Sequence, residues 1–218
     1  MDGRSKGIGG NENPSGDIMK KAILYIHGKG GSHLEAEQYR KNCFGFDIFG
    51  VDYKDYFPWI VQKQIKTAYD KLHHEYEQIY IIANSIGAYF AMHTLQNSEI
   101  KKALFISPVL DMERLILDMM KWANVSETEL YEKEEIPTDF GETLSWKYLC
   151  FVRENPIKWD IFTEILYAGK DNLTSRKTVD TFVDTHSANL TIMENGEHWF
   201  HTEEQIAFLD EWMKKAIV

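Results

Sequence analysis

A serine hydroxyl becomes a strong nucleophile when a neighbouring base takes its proton, and an imidazole does this best when a carboxylate fixes its tautomer. Three segments of this sequence supply those groups, in the order Ser, Asp, His. Ser85 lies in Ala83-Asn84-Ser85-Ile86-Gly87, Asp171 in Gly169-Lys170-Asp171-Asn172, and His198 in Asn195-Gly196-Glu197-His198-Trp199. A fourth segment, His27-Gly28-Lys29-Gly30-Gly31, is a glycine turn of the kind that aims backbone N–H groups at one point. An oxyanion formed by attack on a carbonyl needs such donors, each worth roughly a hundredfold in rate. The candidates are the amides of Ile86, which follows the nucleophile, and of Lys29 in the glycine loop.

Each segment also has a plainer reading. A serine between a strand and a helix is often no more than a helix N-cap. The usual nucleophile turn has glycine two residues before the serine, where this chain has Ala83. Asp171 could instead cap a helix starting near Thr174, with Asp111 as the substitute acid. Asp180 and Asp184 fall on a helical pattern and read as solvated. His27 reads as a buttress of the glycine loop, and His201 as part of the start of the last helix. The glycine loop fits neither nucleotide pattern. Lys29 is followed by Gly30 rather than Ser or Thr, and position 33 is His33 where a dinucleotide loop needs glycine. No cofactor is therefore expected. The remaining histidines lack metal-ligand spacing, so no metal site is expected.

The elements that must hold these groups follow from hydropathy. Ala22–His27, Phe46–Val51, Gln78–Asn84, Ala103–Ser107, Ile165–Ala168 and Leu190–Met193 are apolar runs of strand length without polar alternation. Such runs belong to strands covered on both faces. Helical spacing separates them, as in Ile65, Ala68, Leu72 and Tyr76, and in Ile206, Leu209, Trp212 and Met213 after a Thr202–Gln205 capping box. Alternating β and α elements predict a doubly wound α/β sheet, mostly parallel, of about six strands. All four motifs fall at carboxyl ends of strands, where such sheets place their working groups. One segment, about 111–160, is too long for a bare loop and is read as a mostly helical cap insertion. Its aromatics, with Trp122 and Trp146 foremost, are candidates for binding an apolar part of a substrate, or else form the cap's own small core.

The chain has 218 residues, which suits one domain spanning 19–218 with that insertion. Residues 1–18 are rich in glycine and nearly free of apolar side chains, and read as a disordered leader or vector remnant. A net charge of −10 disfavours nucleic acid and anionic lipid as partners. No apolar run predicts stable membrane insertion. Cys43 and Cys150 lack any paired spacing and fit a reducing, cytoplasmic setting. No feature of the sequence sets an oligomeric state.

Taken in this order, His27-Gly28-Lys29-Gly30, Ala83-Asn84-Ser85-Ile86-Gly87, Gly169-Lys170-Asp171 and Gly196-Glu197-His198 resemble the α/β-hydrolase superfamily. The resemblance points to its small esterase, monoglyceride-lipase-like and serine-aminopeptidase-like branches. Ile106-Ser107-Pro108-Val109 is similar to the family's sixth-strand segment, and the resemblance runs from Lys20 to Val218. Two departures stand out: Ala83, and the lack of a first hairpin before Ala22. The resemblance agrees with a Ser85-His198-Asp171 triad and an oxyanion hole at Lys29 and Ile86. The aromatic cap suggests an apolar acyl or alcohol group, so the expected substrate is a small-molecule ester of short to medium acyl chain. A peptidase, thioesterase or acyltransferase would use the same residues. A non-catalytic ligand-binding protein on this fold is the reading from another class.

Overall fold

Strand β1 (Lys21–Ile26) shows why its sequence does not alternate. Ala22, Leu24 and Ile26 enter one buried cluster, while Ile23 and Tyr25 enter another on the opposite face, and all five are fully buried. Both faces of the sheet are therefore covered at this strand. The runs at Phe46–Val51 and Leu190–Met193, also expected to be doubly covered, are only partly buried because they form the two edges of the sheet, and Phe49 is 40% exposed. These features come from a computed structural model that describes residues 19–218. The leader expected at 1–18 lies outside them.

After β1 the chain forms a 3₁₀ helix (His33–Asn42), then β2 (Asp47–Gly50), α1 (Pro58–His73), β3 (Gln78–Asn84), α2 (Ile86–Leu95) and β4 (Lys102–Ile106). The inserted segment carries α3 (Met112–Trp122), α4 (Glu127–Lys133), β5 (Glu135–Pro137), β6 (Thr143–Ser145) and α5 (Trp146–Glu154). The sheet then resumes with β7 (Thr163–Ala168), α6 (Arg176–Thr185), β8 (Ala188–Met193) and α7 (Glu203–Ala216). Six strands pair in the order β2-β1-β3-β4-β7-β8, and every pairing in this sheet is parallel. The chain steps from β1 outward to β2 and then back across to β3. The carboxyl ends of β1 and β3 thus flank a topological switch point, the natural crevice of an open α/β sheet.

Local chemistry explains two elements that hydropathy did not foresee. The 3₁₀ helix starts at a Ser32–Glu35 capping box, and its buried residues, Ala36, Tyr39 and Asn42, recur every third position. That spacing matches three residues per turn and puts all three on one face. Within the insertion, β5 and β6 form an antiparallel hairpin around Gly141, whose φ is +83°. Thr138 closes its turn, donating from Oγ1 to the Glu142 carbonyl at 2.7 Å. The insertion is otherwise helical. Leu115, Ile116, Met120, Leu130, Leu144 and Leu149 join it to the core on one face of the sheet. Trp159, also buried in that core, donates from Nε1 to Thr163 Oγ1 at 2.8 Å. Among the described residues no helix is long and apolar enough to cross a membrane.

Candidate active site

Ser85 sits where β3 turns into α2, with φ 52° and ψ −123°. Non-glycine residues reach this region only under strain, and such strain gathers at working sites. Its backbone is pinned on both sides: its amide donates to the Ile106 carbonyl at 3.0 Å, and its carbonyl accepts from Val109 at 3.0 Å. The turn drives α2 against β1. A Cβ on Gly87 would lie 2.4 Å from the Ile26 carbonyl oxygen, so this position needs glycine. Ala83, two residues before the serine, is fully buried and its methyl is accommodated within β3. Ser85 Oγ has no cap bond to the helix it precedes, so the plainer N-cap reading does not describe it.

The Ser85 hydroxyl instead lies 2.8 Å from His198 Nε2. His198 Nδ1 lies 2.7 Å from Asp171 Oδ2. The Asp171 side chain has no exposed surface, while that of His198 keeps 19%. The other carboxylate oxygen of Asp171 accepts from the amides of Leu173 (2.8 Å) and Thr174 (3.0 Å). Those bonds fix the carboxylate in its own loop. The helix that follows is capped by Ser175 instead, which leaves Asp171 facing the imidazole. Asp111, the alternative acid, caps α3 by accepting from Arg114 N at 2.9 Å. His201 belongs to the start of α7, its amide donating to Gln205 Oε1 at 3.0 Å.

Two loops must be held together for the acid to meet the base, and the backbone does this. Gly169 N donates to Met193 O at 2.8 Å, and Lys170 N to Gly196 O at 2.9 Å. A Cβ on Gly169 would fall 2.4 Å from the Glu194 carbonyl oxygen, so this glycine permits the contact between the loops. The approach is close. It carries Asp171 from the end of β7 to His198 beyond β8.

The glycine loop faces the same hydroxyl. A Cβ on Gly28 would stand 3.2 Å from Ser85 Cβ. Gly31 N folds back on Gly28 O at 3.2 Å, and Gly30 N donates to Tyr56 Oη at 2.9 Å. Among the described residues the Lys29 amide has no such acceptor. Ile86 opens α2, where amides have no carbonyl a turn earlier to bond. His27 is buried beneath the loop and stacked on Tyr53 with ring centres 3.9 Å apart, its ring nitrogens against the carbonyls of Gly28 and Tyr53. The Lys29 side chain leaves the loop and pairs with Glu142 in the hairpin of the insertion.

A cleft of about 570 Å³ opens at Ser85 and His198. Glu35, Gln38 and Tyr39 of the 3₁₀ helix line it, with Trp199 and Phe200 beyond the histidine. Trp122 and Trp146 do not. Trp122 packs edge-on to Phe140 and Trp146 to Tyr131, all four within the insertion. Residues that hydropathy missed therefore shape the cleft. The signal was present as Ser32-x-x-Glu35 directly after the glycine loop.

Compared with solved structures, the chain is similar to Est1E from Butyrivibrio proteoclasticus, with a TM-score of 0.73 and 16% identity over 93% of this chain and 88% of that one. The α/β-hydrolase fold is established by this match. The α/β hydrolase domain-containing protein 10 from mouse shares the fold at a TM-score of 0.70, with 13% identity over 90% and 89% of the two chains. The esterase Pf2001 from Pyrococcus furiosus shares it at 0.56, with 18% identity over 92% and 85%. No protein-family model and no curated protein sequence matches the chain. On the α/β-hydrolase sheet, Ser85 and the glycine loop occupy the switch point between β3 and β1. Among the described residues no three His, Cys, Asp or Glu side chains gather as a metal site would require.

Proposed function

We propose that this protein is a serine hydrolase that cleaves small carboxylic esters through an acyl-enzyme. The observation that carries the reading is the continuous hydrogen-bonded chain from Ser85 Oγ through His198 to Asp171, on a nucleophile held at positive φ. His198 takes the Ser85 proton as Oγ attacks the ester carbonyl, while Asp171 stabilises the imidazolium. The amides of Ile86 and Lys29 receive the oxyanion. The tetrahedral intermediate collapses as His198 returns the proton to the leaving alcohol. Water, activated by the same imidazole, then releases the acid and frees Ser85. The size of the cleft favours short to medium acyl chains, and the fold is shared with a protein named as an esterase.

Rapid mixing with p-nitrophenyl esters of rising chain length tests this reading. An initial burst of about one p-nitrophenolate per chain is expected, followed by slower turnover. The burst disappears in Ser85→Ala. In His198→Ala turnover falls by at least about 10⁴-fold while the protein stays folded. A wild-type protein that releases no p-nitrophenolate above the buffer rate would favour a ligand-binding role instead.

A further inference from the structure

Among the described residues Glu35 is a carboxylate without a cation. Its side chain lines the cleft at Ser85 and stands directly against Gly31, where a Cβ would come within 2.8 Å of Oε1. Its partners are neutral: Tyr25 Oη donates to Oε2 at 2.6 Å and Ser32 N to Oε1 at 3.2 Å. Burial first, then the neighbouring Tyr39 and the bond to Glu35, push the Tyr25 hydroxyl well above its ordinary pKa, so it remains the proton donor in that bond. Among the described residues no lysine, arginine or histidine pairs with Glu35. Lys29, the lysine that lines the cleft, pairs with Glu142 and lies over the Tyr56 ring, with Nζ 5.8 Å from its centre. That carboxylate, held by neutral donors alone in the first turn of the 3₁₀ helix, shares its cleft with Tyr39, Trp199 and Phe200.

A carboxylate together with aromatic faces attracts an organic cation, through Coulomb attraction and the ring quadrupoles. The position within the reaction also follows. His198 must hand its proton to the departing alcohol, so that alcohol lies on the side of the imidazole, where Trp199 and Phe200 follow it in the chain. We propose that the 3₁₀-helix side of the cleft recognises an ester whose alcohol portion carries a substituted ammonium group, with Glu35 as its counter-ion. This rests on the serine-hydrolase reading above and names its substrate class. The chain's net charge of −10 would also steer a cationic substrate toward it.

The test compares butyrylcholine with 3,3-dimethylbutyl butyrate, which replaces the charged nitrogen by carbon at nearly unchanged shape. The wild-type protein is expected to prefer the choline ester by about tenfold in kcat/KM. The ratio is read within each variant, so a general loss from disturbing the Tyr25 contact divides out. In Glu35→Gln, which keeps an acceptor for Tyr25 and leaves the rings in place, the ratio falls by at least about threefold. In Glu37→Gln, which removes the same charge from an exposed position on the same helix, the preference persists. Equal or inverted preference in the wild type overturns the proposal, as does a ratio that survives Glu35→Gln or collapses equally in Glu37→Gln. If neither ester is turned over, p-nitrophenyl butyrate separates the two claims. A burst with it leaves the hydrolase reading standing and removes the cationic substrate; no burst removes both.

Discussion

The 3₁₀ helix at His33–Asn42 and the insertion around 111–160 flank the same end of the sheet, yet only the first builds the cleft. The insertion holds more aromatic side chains, and they satisfy one another or the core: Trp122 with Phe140, Trp146 with Tyr131, and Tyr148 with Phe57 and Trp59. The 3₁₀ helix is polar on its exposed side apart from Leu34, but its Tyr39 is tied to the residue before the nucleophile. Asn84 donates from Nδ2 to Tyr25 Oη at 2.9 Å and to Tyr39 Oη at 3.2 Å, and Tyr25 in turn reaches Glu35. This network runs from the strand end that carries Ser85 to the glycine loop. Aromatic content therefore marks where a segment packs, whereas a polar network touching the nucleophile's own strand marks the cleft.

The sharpest way to break this comparison is to truncate one ring from each region. Tyr39→Ala removes a wall of the cleft and a partner of Asn84, and kcat/KM for p-nitrophenyl butyrate should fall by roughly tenfold to a hundredfold. Trp122→Ala, half exposed in the insertion, should stay within about twofold. Comparable losses in both would mean that the insertion closes over substrate after all.

A smaller effect is expected where the regions join. Lys29 and Glu142 tie the glycine loop to the insertion's hairpin, but both side chains are substantially exposed, and such pairs contribute only about 0–1 kcal/mol. Glu142→Gln should lower kcat about two- to fivefold, with the difference from wild type shrinking at high salt. An unchanged kcat at low salt would show that the loop is held without the insertion.

The smallest effect is one of stability. His93 on α2 lies against Phe151 of α5, with ring centres 5.1 Å apart, and burial holds its pKa below the ordinary 6.5. As pH falls through 6.5 the unfolded chain takes up a proton that the folded chain refuses, so stability contributed by neutral His93 is lost on acidification. His93→Leu should therefore gain thermal stability relative to wild type between pH 7 and pH 5. A constant difference in Tm over that range would remove His93 as the cause.

Much of this architecture was legible because hydrophobic burial writes itself on every residue of a strand. The runs beginning at Ala22, Gln78 and Ile165 read as doubly covered strands because they are, and the motifs at their ends inherited the correct edge of the sheet. Ser85, Asp171 and His198 could be singled out because each ends or follows such a run. The 3₁₀ helix was hidden because its period of three resembles neither strand nor α-helix. The hairpin at Glu135–Ser145 was hidden because its strands are three residues each, too short for any period to show. The cleft wall was the least legible part. Glu35 and Asn84 meet only through Tyr25, and no local pattern records a contact that needs three separate segments.

The central claim is that the Ser85 hydroxyl is made reactive by His198. Treatment with a fluorophosphonate, followed by mass analysis of the peptide containing Ser85, tests it most directly. One phosphonyl adduct on Ser85 is expected in the wild type, and none in His198→Ala over the same interval. An unmodified Ser85 in the folded wild-type protein, or an adduct formed equally fast without the imidazole, would contradict it.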